Sequence, residues 1–421
     1  MNIGSRPDLF TPQQQRAINV AVDTADRLGM SLFMVGGSVR DLLLGQPTLD
    51  IDLVVEGDAI SVAQQAANDL ATGCTVHSGF GTATIRGEGY TIDLAMSRSE
   101  SYSRPGALPK VSPSSIEVDL LRRDFTVNAI GLAMSGPDEG TIIDPSKGLQ
   151  DLRRRQLRVI QDRSFIDDAS RILRAVRYSA RLKFAIEPHT LSLLQRDLSY
   201  LDTVSGSRVR RELTRLLREN KSETALELAQ GLGVLEAIHP AFRLSSCLSA
   251  ALADSQRGFT DKTPTTVYMG LLAHTWSAAD AVAIADRLSL PKKERSIVEA
   301  MPEIQALAPL LTSSRTRPSQ ITSRLSPFPP AALRALALLT NDTTIRERVR
   351  RYLGEWRHVQ AELNGAALLE LGIAKGPQLG HLISQLRSAR LDGKVSSRGE
   401  EIRLARTIAG KSIPTASRSD Q

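Results

Sequence analysis

The chain has 421 residues, of which 41% are hydrophobic and 24% are charged, and its formal net charge is +7. This composition is typical of a globular protein with about two to three domains and argues against a disordered chain. No run approaches the about 18 apolar residues of a membrane-spanning helix, and the start MNIGSRPDLF lacks the apolar segment of a signal peptide, so we expect no membrane partner. The distant Cys74 and Cys247 indicate neither a disulfide framework nor a zinc site, which favours a reducing cytoplasm.

Up to about residue 160, predicted strands and helices alternate. TPQQQRAINVAVDTADRLG predicts a helix with Thr11 as its N-cap, Pro12 in its first turn and Gly29 at its end. SLFMV is a short apolar strand, and GGSVRDLLLG predicts a tight turn into a short helix with Ser38 as its N-cap and Gly45 at its end. The next segments predict a strand (LDIDLVV), a helix (AISVAQQAANDLA) and two strands joined by a Gly-rich turn (GTATIRGEGYTIDLAMS).

Strand signals fade in the second part of the chain. RSESYSRPGALPKVSPSS, residues 98–115, is rich in Gly, Pro and Ser and predicts a mobile surface loop. After residue 160, IDDASRILRAVRYSARLKF, SRVRRELTRLLREN and ETALELAQGLGVLEAI carry helical periodicity, and the polar end predicts a disordered tail. We therefore expect an α+β protein: a mixed-sheet head with helices over 12–155, a helical neck over 156–225, a helical body and tail over 226–395, and a partly disordered segment over 396–421.

Two aspartates in LDIDLVV, Asp50 and Asp52, point to the same face because side chains alternate along a strand. Such close like charges repel, and one pKa should rise unless a cation lies between them. A strand end that faces water would also accommodate both carboxylates. The apolar residues around them instead indicate burial, and two carboxylates with room for substrate phosphates are typical of Mg²⁺ sites.

GGSVRD, upstream of the aspartates, joins a strand to a helix. Gly36 and Gly37 allow a close backbone approach, the helix start at Ser38 offers free N–H groups, and Arg40 adds positive charge. A plain tight turn explains Gly-Gly by itself. Together with the two aspartates, the segment favours a nucleoside triphosphate site.

Asp93, in YTIDLA, is expected on a neighbouring strand. Either it faces solvent at a strand end, or it is the third carboxylate of a two-metal site for attack of a hydroxyl on an α-phosphate. The sequence leaves both alternatives open.

Several motifs occur in the order of a known family. FMVGGSVRDLLLGQPTLDIDLVV, PGALP, LLRRDFTVNAIGL, IIDPSKGLQDL and DDASRILRAVRYSARLKF make residues 20–220 similar to class II tRNA nucleotidyltransferases, the family of CCA-adding enzymes and bacterial poly(A) polymerases. The resemblance implies a polymerase-β-like nucleotidyltransferase head and Mg²⁺-dependent, template-independent addition of nucleotides from ATP and CTP to an RNA 3′ end. It also implies the tRNA acceptor end and nucleoside triphosphates as partners of a monomer or a homodimer.

The same resemblance implies roles for individual residues. Gly37 and Arg40 would contact the triphosphate, while the Asp50–Asp52 pair would bind Mg²⁺. In RRDFTVNA a solvated surface ion pair is the alternative to a nucleotide-binding role. The residues of this motif that are expected at the nucleotide are Arg123, Asp124 and Asn128.

Base selection can be argued from chemistry. In DDASRILRAVR, a helix would make Asp168 and Arg171 neighbours at i,i+3. Adenine and cytosine both present an amino donor beside a ring-nitrogen acceptor, so this pair could accept both bases and reject guanine and uracil. A solvated ion pair is the alternative. Arg174 and Arg177 continue along nearly the same face and resemble nucleotide ligands of the family.

Two positions depart from the family pattern, in which Glu is usual at both. Asp167 keeps the charge on a shorter side chain, whereas Ser207 loses the charge but can still cap its helix. These departures put the nucleotide choice in doubt. The family also has a flexible element at 98–115 that helps to switch from cytosine to adenine addition, and its presence disfavours a CC-only enzyme.

The neck is rich in arginine, which favours a groove for the tRNA acceptor arm over a merely solvated basic face. The candidate RNA contacts are Arg181, Arg208 and Arg211.

The leading hypothesis is a CCA-adding enzyme. Relatives that add only A, only CC or a poly(A) tail have nearly the same motifs. A non-catalytic RNA-binding protein on the same fold is disfavoured by the intact Asp50–Asp52 pair, and a metal-dependent nucleotide hydrolase by the lack of His-Asp pairs.

Overall fold

The computed structural model describes residues 9–48, 50–245, 247–248, 250–252 and 265–411. The chain divides into two compact units, Met1–Pro240 and Ala241–Gln421. None of the helices in the described ranges is long and apolar enough to span a membrane. Leu49, the predicted start of a strand, and residues 412–421 of the predicted tail lie outside the described residues.

The first unit contains a seven-stranded mixed sheet with the order β3-β4-β5-β2-β1-β8-β9. Within it β2 and β5 pair in parallel, and the other neighbours pair antiparallel. This topology confirms the predicted mixed-sheet head. The strands of the unit are β1 Ser31–Val35, β2 Asp50–Glu56, β3 Gly73–His77, β4 Thr82–Gly87, β5 Tyr90–Met96, β6 Arg98–Ser101, β7 Lys110–Pro113, β8 Gly131–Ala133, β9 Ile142–Ile143, β10 Gln156–Leu157 and β11 Ala185–Ile186.

Helices cover both faces of the sheet. Leu32 and Met34 belong to the apolar core that includes α1 and α3, while Phe33 and Val35 pack with α4 on the opposite face. This arrangement follows from the alternation of side chains along β1. The helices of the unit are α1 Pro12–Arg27, α2 Gly37–Leu43, α3 Ala59–Asp69, α4 Ile116–Leu121, α5 Gly148–Arg154, α6 Ser164–Asp167, α7 Ser170–Leu182, α8 Pro188–Arg196, α9 Gly206–Leu217, α10 Ser222–Gly231 and α11 Val234–Ile238.

The predicted boundaries of α1 are confirmed. The Thr11 hydroxyl accepts a hydrogen bond from the Gln14 amide at 3.2 Å, in a capping box with Pro12 at the helix start. Gly29 and Gly45, after α1 and α2, have φ values of +67° and +68°, which glycine adopts without steric cost.

Ser38 is not the N-cap of α2. The helix begins at Gly37, and Gly36 occupies the cap position. The buried hydroxyl of Ser38 instead donates to the Asp50 carbonyl at 3.0 Å and accepts from the Asp52 amide at 2.9 Å. Ser38 therefore fixes the start of β2 against α2, which positions both aspartates.

The segment 98–115 is not an irregular loop. Its two ends form the antiparallel pair β6–β7, with Arg98 opposite Pro113 and Ser101 opposite Lys110. Ladder hydrogen bonds compensate for the polar composition of these strands. Gly106 and two of the three prolines of the segment lie in the tip, residues 102–109, and Pro113 ends β7.

The neck is continuous with the first unit. Helix α10 spans the boundary predicted after residue 225 and packs against α7 and α9, so this boundary was placed too early. Strand β10, which pairs in parallel with β11, begins directly after residue 155, where the head was predicted to end.

The second unit is helical throughout its described elements, as predicted. Its last helix occupies the start of the segment 396–421, which was predicted to be a partly disordered tail. The helices are Thr265–Leu272, Ala278–Arg287, Lys292–Ala306, Ala308–Thr312, Pro318–Leu325, Pro330–Leu339, Thr343–Gly354, Gly365–Glu370, Pro377–Leu391 and Arg398–Lys411.

Candidate active site

A cavity of about 440 Å³ in the first unit brings together most of the predicted site residues. Its walls come from the β1–α2 turn, β2, the end of α4, and the neck helices α7 and α9. The predicted residues that line it are Gly36, Gly37, Asp52, Arg123, Asp124, Asn128, Asp168, Arg171, Arg174, Arg208 and Arg211. Lining residues that the sequence reasoning missed include Glu100, Tyr102, Arg122, Ser170, Tyr178 and Glu212.

The carboxylates lie at one edge of the parallel strand pair. Asp52 is directly opposite Asp93 in the β2–β5 register, and the Thr84 hydroxyl donates to Asp93 at 2.6 Å. Burial raises the pKa of Asp52 to about 6; the charge of Arg123 opposes this rise, and the charges of Asp93 and Asp50 add to it. The negative charge at Asp52 is therefore incompletely compensated by the protein.

This donor set fits a hard divalent cation. Asp50 is exposed and Asp52 is only partly covered, so both carboxylates are within reach of solvent. Within the described ranges, no group of three or more His, Cys, Asp or Glu residues is arranged to hold a metal. The role of Asp93 as a third carboxylate stays a prediction. Two carboxylates, with the remaining positions left to water and substrate phosphates, are the usual provision for Mg²⁺.

The Gly36–Gly37 turn forms the floor beside Asp52. Gly36 has a φ of +67°, and a Cβ atom there would lie 2.8 Å from Nη1 of Arg123. The Arg123 guanidinium therefore rests directly on the glycine backbone, which a side chain at this position would prevent.

Asp119, which the sequence reasoning missed, fixes the orientation of Arg123 and its neighbour Arg122. The fully buried Asp119 accepts hydrogen bonds from Nη2 of Arg122 at 2.6 Å and from Nη2 of Arg123 at 2.9 Å. Arg122 also donates to Glu100 at 2.7 Å. Asp119 on α4 lies three residues before Arg122 and four residues before Arg123. This helical spacing in VDLLRRDF was the available signal.

A buried polar chain continues from Arg40 to Arg174. Arg40 is 2% exposed and donates to Asp41 at 2.7 Å and to Asn128 at 2.5 Å, and it is not among the residues that line the cavity. Its contact with a triphosphate stays a prediction. Asn128 donates to Asp124 at 3.0 Å, and Asp124 pairs with Arg174 at 2.6 Å. Burial opposes ionisation, but the charge of Arg174 and the hydrogen bond from Asn128 lower the pKa of Asp124 to about 2.

Asp168 and Arg171 both line the cavity, but not as an i,i+3 pair of one helix. Helix α7 begins at Ser170, whose hydroxyl donates to Asp168 at 2.6 Å, and Asp168 pairs with Arg208 at 2.7 Å. Arg171 instead donates to the Ser164 hydroxyl and to the Arg122 carbonyl. The extended backbone of Asp168 explains the difference, because its side chain closes the helix start.

The tip of the β6–β7 hairpin contacts the residues around Asp168. The Gly106 amide donates to the Asp167 carbonyl at 3.2 Å, and Arg208 donates to the Gly106 carbonyl at 3.1 Å. The predicted mobile element is thus attached to the neck through Gly106. Ser207 does not cap α9, since that helix begins at Gly206.

The remaining predicted arginines lie at different depths. Arg177 is 8% exposed, pairs with Glu219 at 3.4 Å and does not line the cavity. Arg181 pairs with Asp41 at 3.5 Å outside the cavity lining, whereas Arg211 lines the cavity and is exposed.

Two family models match the first unit and its end. Residues 32–158 match the poly A polymerase head domain, and residues 183–244 match the probable RNA and SrmB-binding site of polymerase A.

The chain is also similar in sequence to curated tRNA nucleotidyltransferases. An A-adding tRNA nucleotidyltransferase of Halalkalibacterium halodurans is 31% identical over 93% of this chain and 92% of the relative. A CC-adding tRNA nucleotidyltransferase of Deinococcus radiodurans is 32% identical over 95% of each chain. An A-adding enzyme of Geobacter sulfurreducens is 32% identical, but the chain spans only 46% of its length.

Solved structures of CCA-adding enzymes share the whole fold. An apo form has a TM-score of 0.81 at 26% identity and covers 97% of this chain and 99% of that structure. A complex with ATP has a TM-score of 0.79 at 26% identity, with 98% and 99% covered. The Thermotoga maritima enzyme complexed with tRNA has a TM-score of 0.74 at 25% identity, with 97% and 98% covered.

Proposed function

The chain belongs to the tRNA nucleotidyltransferase family, and we propose that it adds C, C and A from CTP and ATP to the 3′ end of tRNA. The observation that carries this proposal is a cavity in which Asp52, the Gly36–Gly37 turn and the Asp168–Arg171 region line the same space. A metal-binding carboxylate, a phosphate cradle and a base-selective wall are the three parts that such a reaction needs.

The residues suggest how the reaction proceeds. Backbone N–H groups at the start of α2 and the guanidinium of Arg123 bind the triphosphate, because both present donors beside Asp52. Asp50 and Asp52 would hold Mg²⁺, and the bound metal would stabilise the charge that develops on the phosphates. The RNA 3′-hydroxyl attacks the α-phosphate, the bond to the β-phosphate breaks, and pyrophosphate leaves.

Base selection is assigned to Asp168 and Arg171. An ionised carboxylate offers about four acceptor sites, so Asp168 can accept from the amino group of adenine or cytosine beside its contacts with Ser170 and Arg208. Arg171 would supply the donor to the ring nitrogen. Guanine and uracil would leave these polar groups unpaired, which is costly in a partly desolvated site.

A partial activity is the second candidate. The full-length relatives at 31% and 32% identity are A-adding and CC-adding enzymes, whereas relatives named CCA-adding enzymes are 26% to 30% identical. This chain could therefore add only the terminal A or only the two cytidines, with another enzyme completing the end.

The test uses tRNA transcripts that end before CCA, after C and after CC, each incubated with Mg²⁺ and with ATP, CTP or both. Full CCA on the first transcript would support the proposal, whereas extension of only the CC-ended transcript by A would support the A-adding alternative. Asp52→Ala should abolish extension, and the surface variant Asp26→Asn should not. If the wild type extends no transcript, the proposed function is wrong.

A further inference from the structure

The cavity contains two aromatic rings, Tyr102 and Tyr178, among otherwise mostly polar lining residues. The ring of Tyr178 is already covered. The guanidinium carbons of Arg177, Arg40 and Arg174 lie 4.5, 5.3 and 5.5 Å from its centroid. Phe125 adds an edge contact at 6.0 Å. Tyr178 is therefore already in contact with three guanidinium groups of the protein.

Tyr102 has a different environment. In the part of the chain that the structure describes, no guanidinium and no second ring stacks on it. Its hydroxyl donates to Oε2 of Glu100 at 2.9 Å, and Oε1 of Glu100 is held by Arg122. The ring is therefore fixed at its polar end and partly exposed along the cavity wall.

Tyr102 also lies near the residues assigned to base selection. Burial raises the pKa of Tyr102 to about 12, and the charges of Arg171 and Asp168 are close enough to contribute to its pKa. Arg171 and the Tyr102–Glu100 pair are further linked through Arg122, whose carbonyl accepts from Arg171. A planar base whose edge meets Asp168 and Arg171 would thus have an aromatic surface within reach.

We propose that Tyr102 provides the stacking surface for the base of the incoming nucleotide, an inference that rests on the proposed function. Hydrogen bonds to the edge of a base fix its direction but do not exclude water from its faces. A π surface supplies that contact for any base, because every base has a π face. In this arrangement Asp168 and Arg171 read the edge of the base, and Tyr102 adds affinity that grows with the stacked area of the base.

The test compares full-length wild type with Tyr102→Leu and Tyr102→Phe. Dissociation constants for ATP, CTP and inorganic tripolyphosphate are measured by titration calorimetry in Mg²⁺. Loss of stacking in Tyr102→Leu should weaken ATP binding about tenfold. CTP should be weakened less, because its single ring stacks over a smaller area, and tripolyphosphate should bind as to the wild type. Tyr102→Phe keeps the ring and should retain most of the ATP affinity.

The possible failures are distinguishable. If the wild type extends RNA but Tyr102→Leu binds ATP as well as the wild type does, the stacking role is wrong and the proposed function stands. If ATP and tripolyphosphate binding weaken equally, Tyr102 supports the wall of the cavity and does not stack on a base, which also overturns the proposal. If the wild type binds neither ATP nor CTP, the proposed function fails together with the stacking role.

Discussion

Asp52 and Asp93 are direct cross-strand partners on the parallel strands β2 and β5. Like charges directly opposite each other on a sheet destabilise it unless a cation compensates them. The charges of Asp52 and Asp93 therefore repel each other at the position where the proposed reaction needs a metal. This repulsion should lower the free energy of unfolding of the metal-free protein.

Asp52→Asn should stabilise the protein in the presence of a chelator. The raised pKa of Asp52, about 6, means that the folded state binds this proton more tightly than the unfolded state. The free energy of unfolding of the wild type should therefore fall as pH rises from about 4 to about 6. At pH 7.5 the free energy of unfolding of the variant should exceed that of the wild type by about 1–3 kcal/mol, as measured by urea denaturation. Excess Mg²⁺ should stabilise only the wild type, and an unchanged variant would contradict the argument.

Asp124→Asn should destabilise the protein by about 1–3 kcal/mol, because it removes the charge from a buried carboxylate that Arg174 and Asn128 stabilise. The lowered pKa of Asp124, about 2, stabilises the folded state above about pH 4, and this contribution is lost as pH falls toward 2. Asp167→Asn is the control, since its ion pair with Arg163 is longer, at 3.4 Å, and exposed on the arginine side. Thermal unfolding at pH 7 measures both variants, and equal losses would contradict the assignment.

Ser38→Ala should weaken both the binding of Mg²⁺ and the stability of the folded protein. Its hydroxyl makes two hydrogen bonds that hold the start of β2, so its loss should cost about 1–3 kcal/mol. The half-saturating Mg²⁺ concentration for RNA extension should rise, because Asp50 and Asp52 lose their common support. Ser192→Ala, which removes an exposed hydrogen bond to the His189 carbonyl, should change neither quantity. The idea is wrong if Mg²⁺ half-saturation in Ser38→Ala equals that of the wild type.

Gly106→Ala should detach the hairpin tip from the neck. Gly106 has a φ of +71°, and a Cβ atom there would lie 2.4 Å from the Thr203 carbonyl oxygen. We expect slower nucleotide addition with a small change in melting temperature, because the tip lies outside the apolar core. Gly89→Ala is the matched control: its φ is +78°, but no atom lies within 4 Å of the added Cβ. Equal effects of the two variants on rate would show that backbone strain alone is responsible.

Local patterns predicted the elements well where one principle dominated. The N-cap at Thr11 and the short apolar strand β1 depend on nearest neighbours, and both were found as expected. Ser38 and Asp168 were misread because tertiary partners decided their roles. The hydroxyl of Ser38 is used by β2, and Asp168 is drawn toward Arg208 on another helix. The β6–β7 hairpin was missed because its composition is that of a loop and its pairing is not local.

Site residues were predictable by type but not by contact. Asp52, Arg123 and Asp124 lie in recognisable motifs, and the structure places all three at the cavity. The burial of Arg40 and the central position of Asp119 are properties of the assembled unit. No spacing in the sequence shows that one arginine is covered by Asn128 while another rests on Gly36.

Gly36 and Glu212 line the same cavity, although they lie near opposite ends of the sequence of the first unit. Contacts between such distant residues form late, since loop closure must precede them. A growing chain on the ribosome therefore cannot assemble the nucleotide pocket until the segment beyond Glu212 has emerged. Until then, nucleotide binding cannot stabilise the strands of the head, which must fold without it.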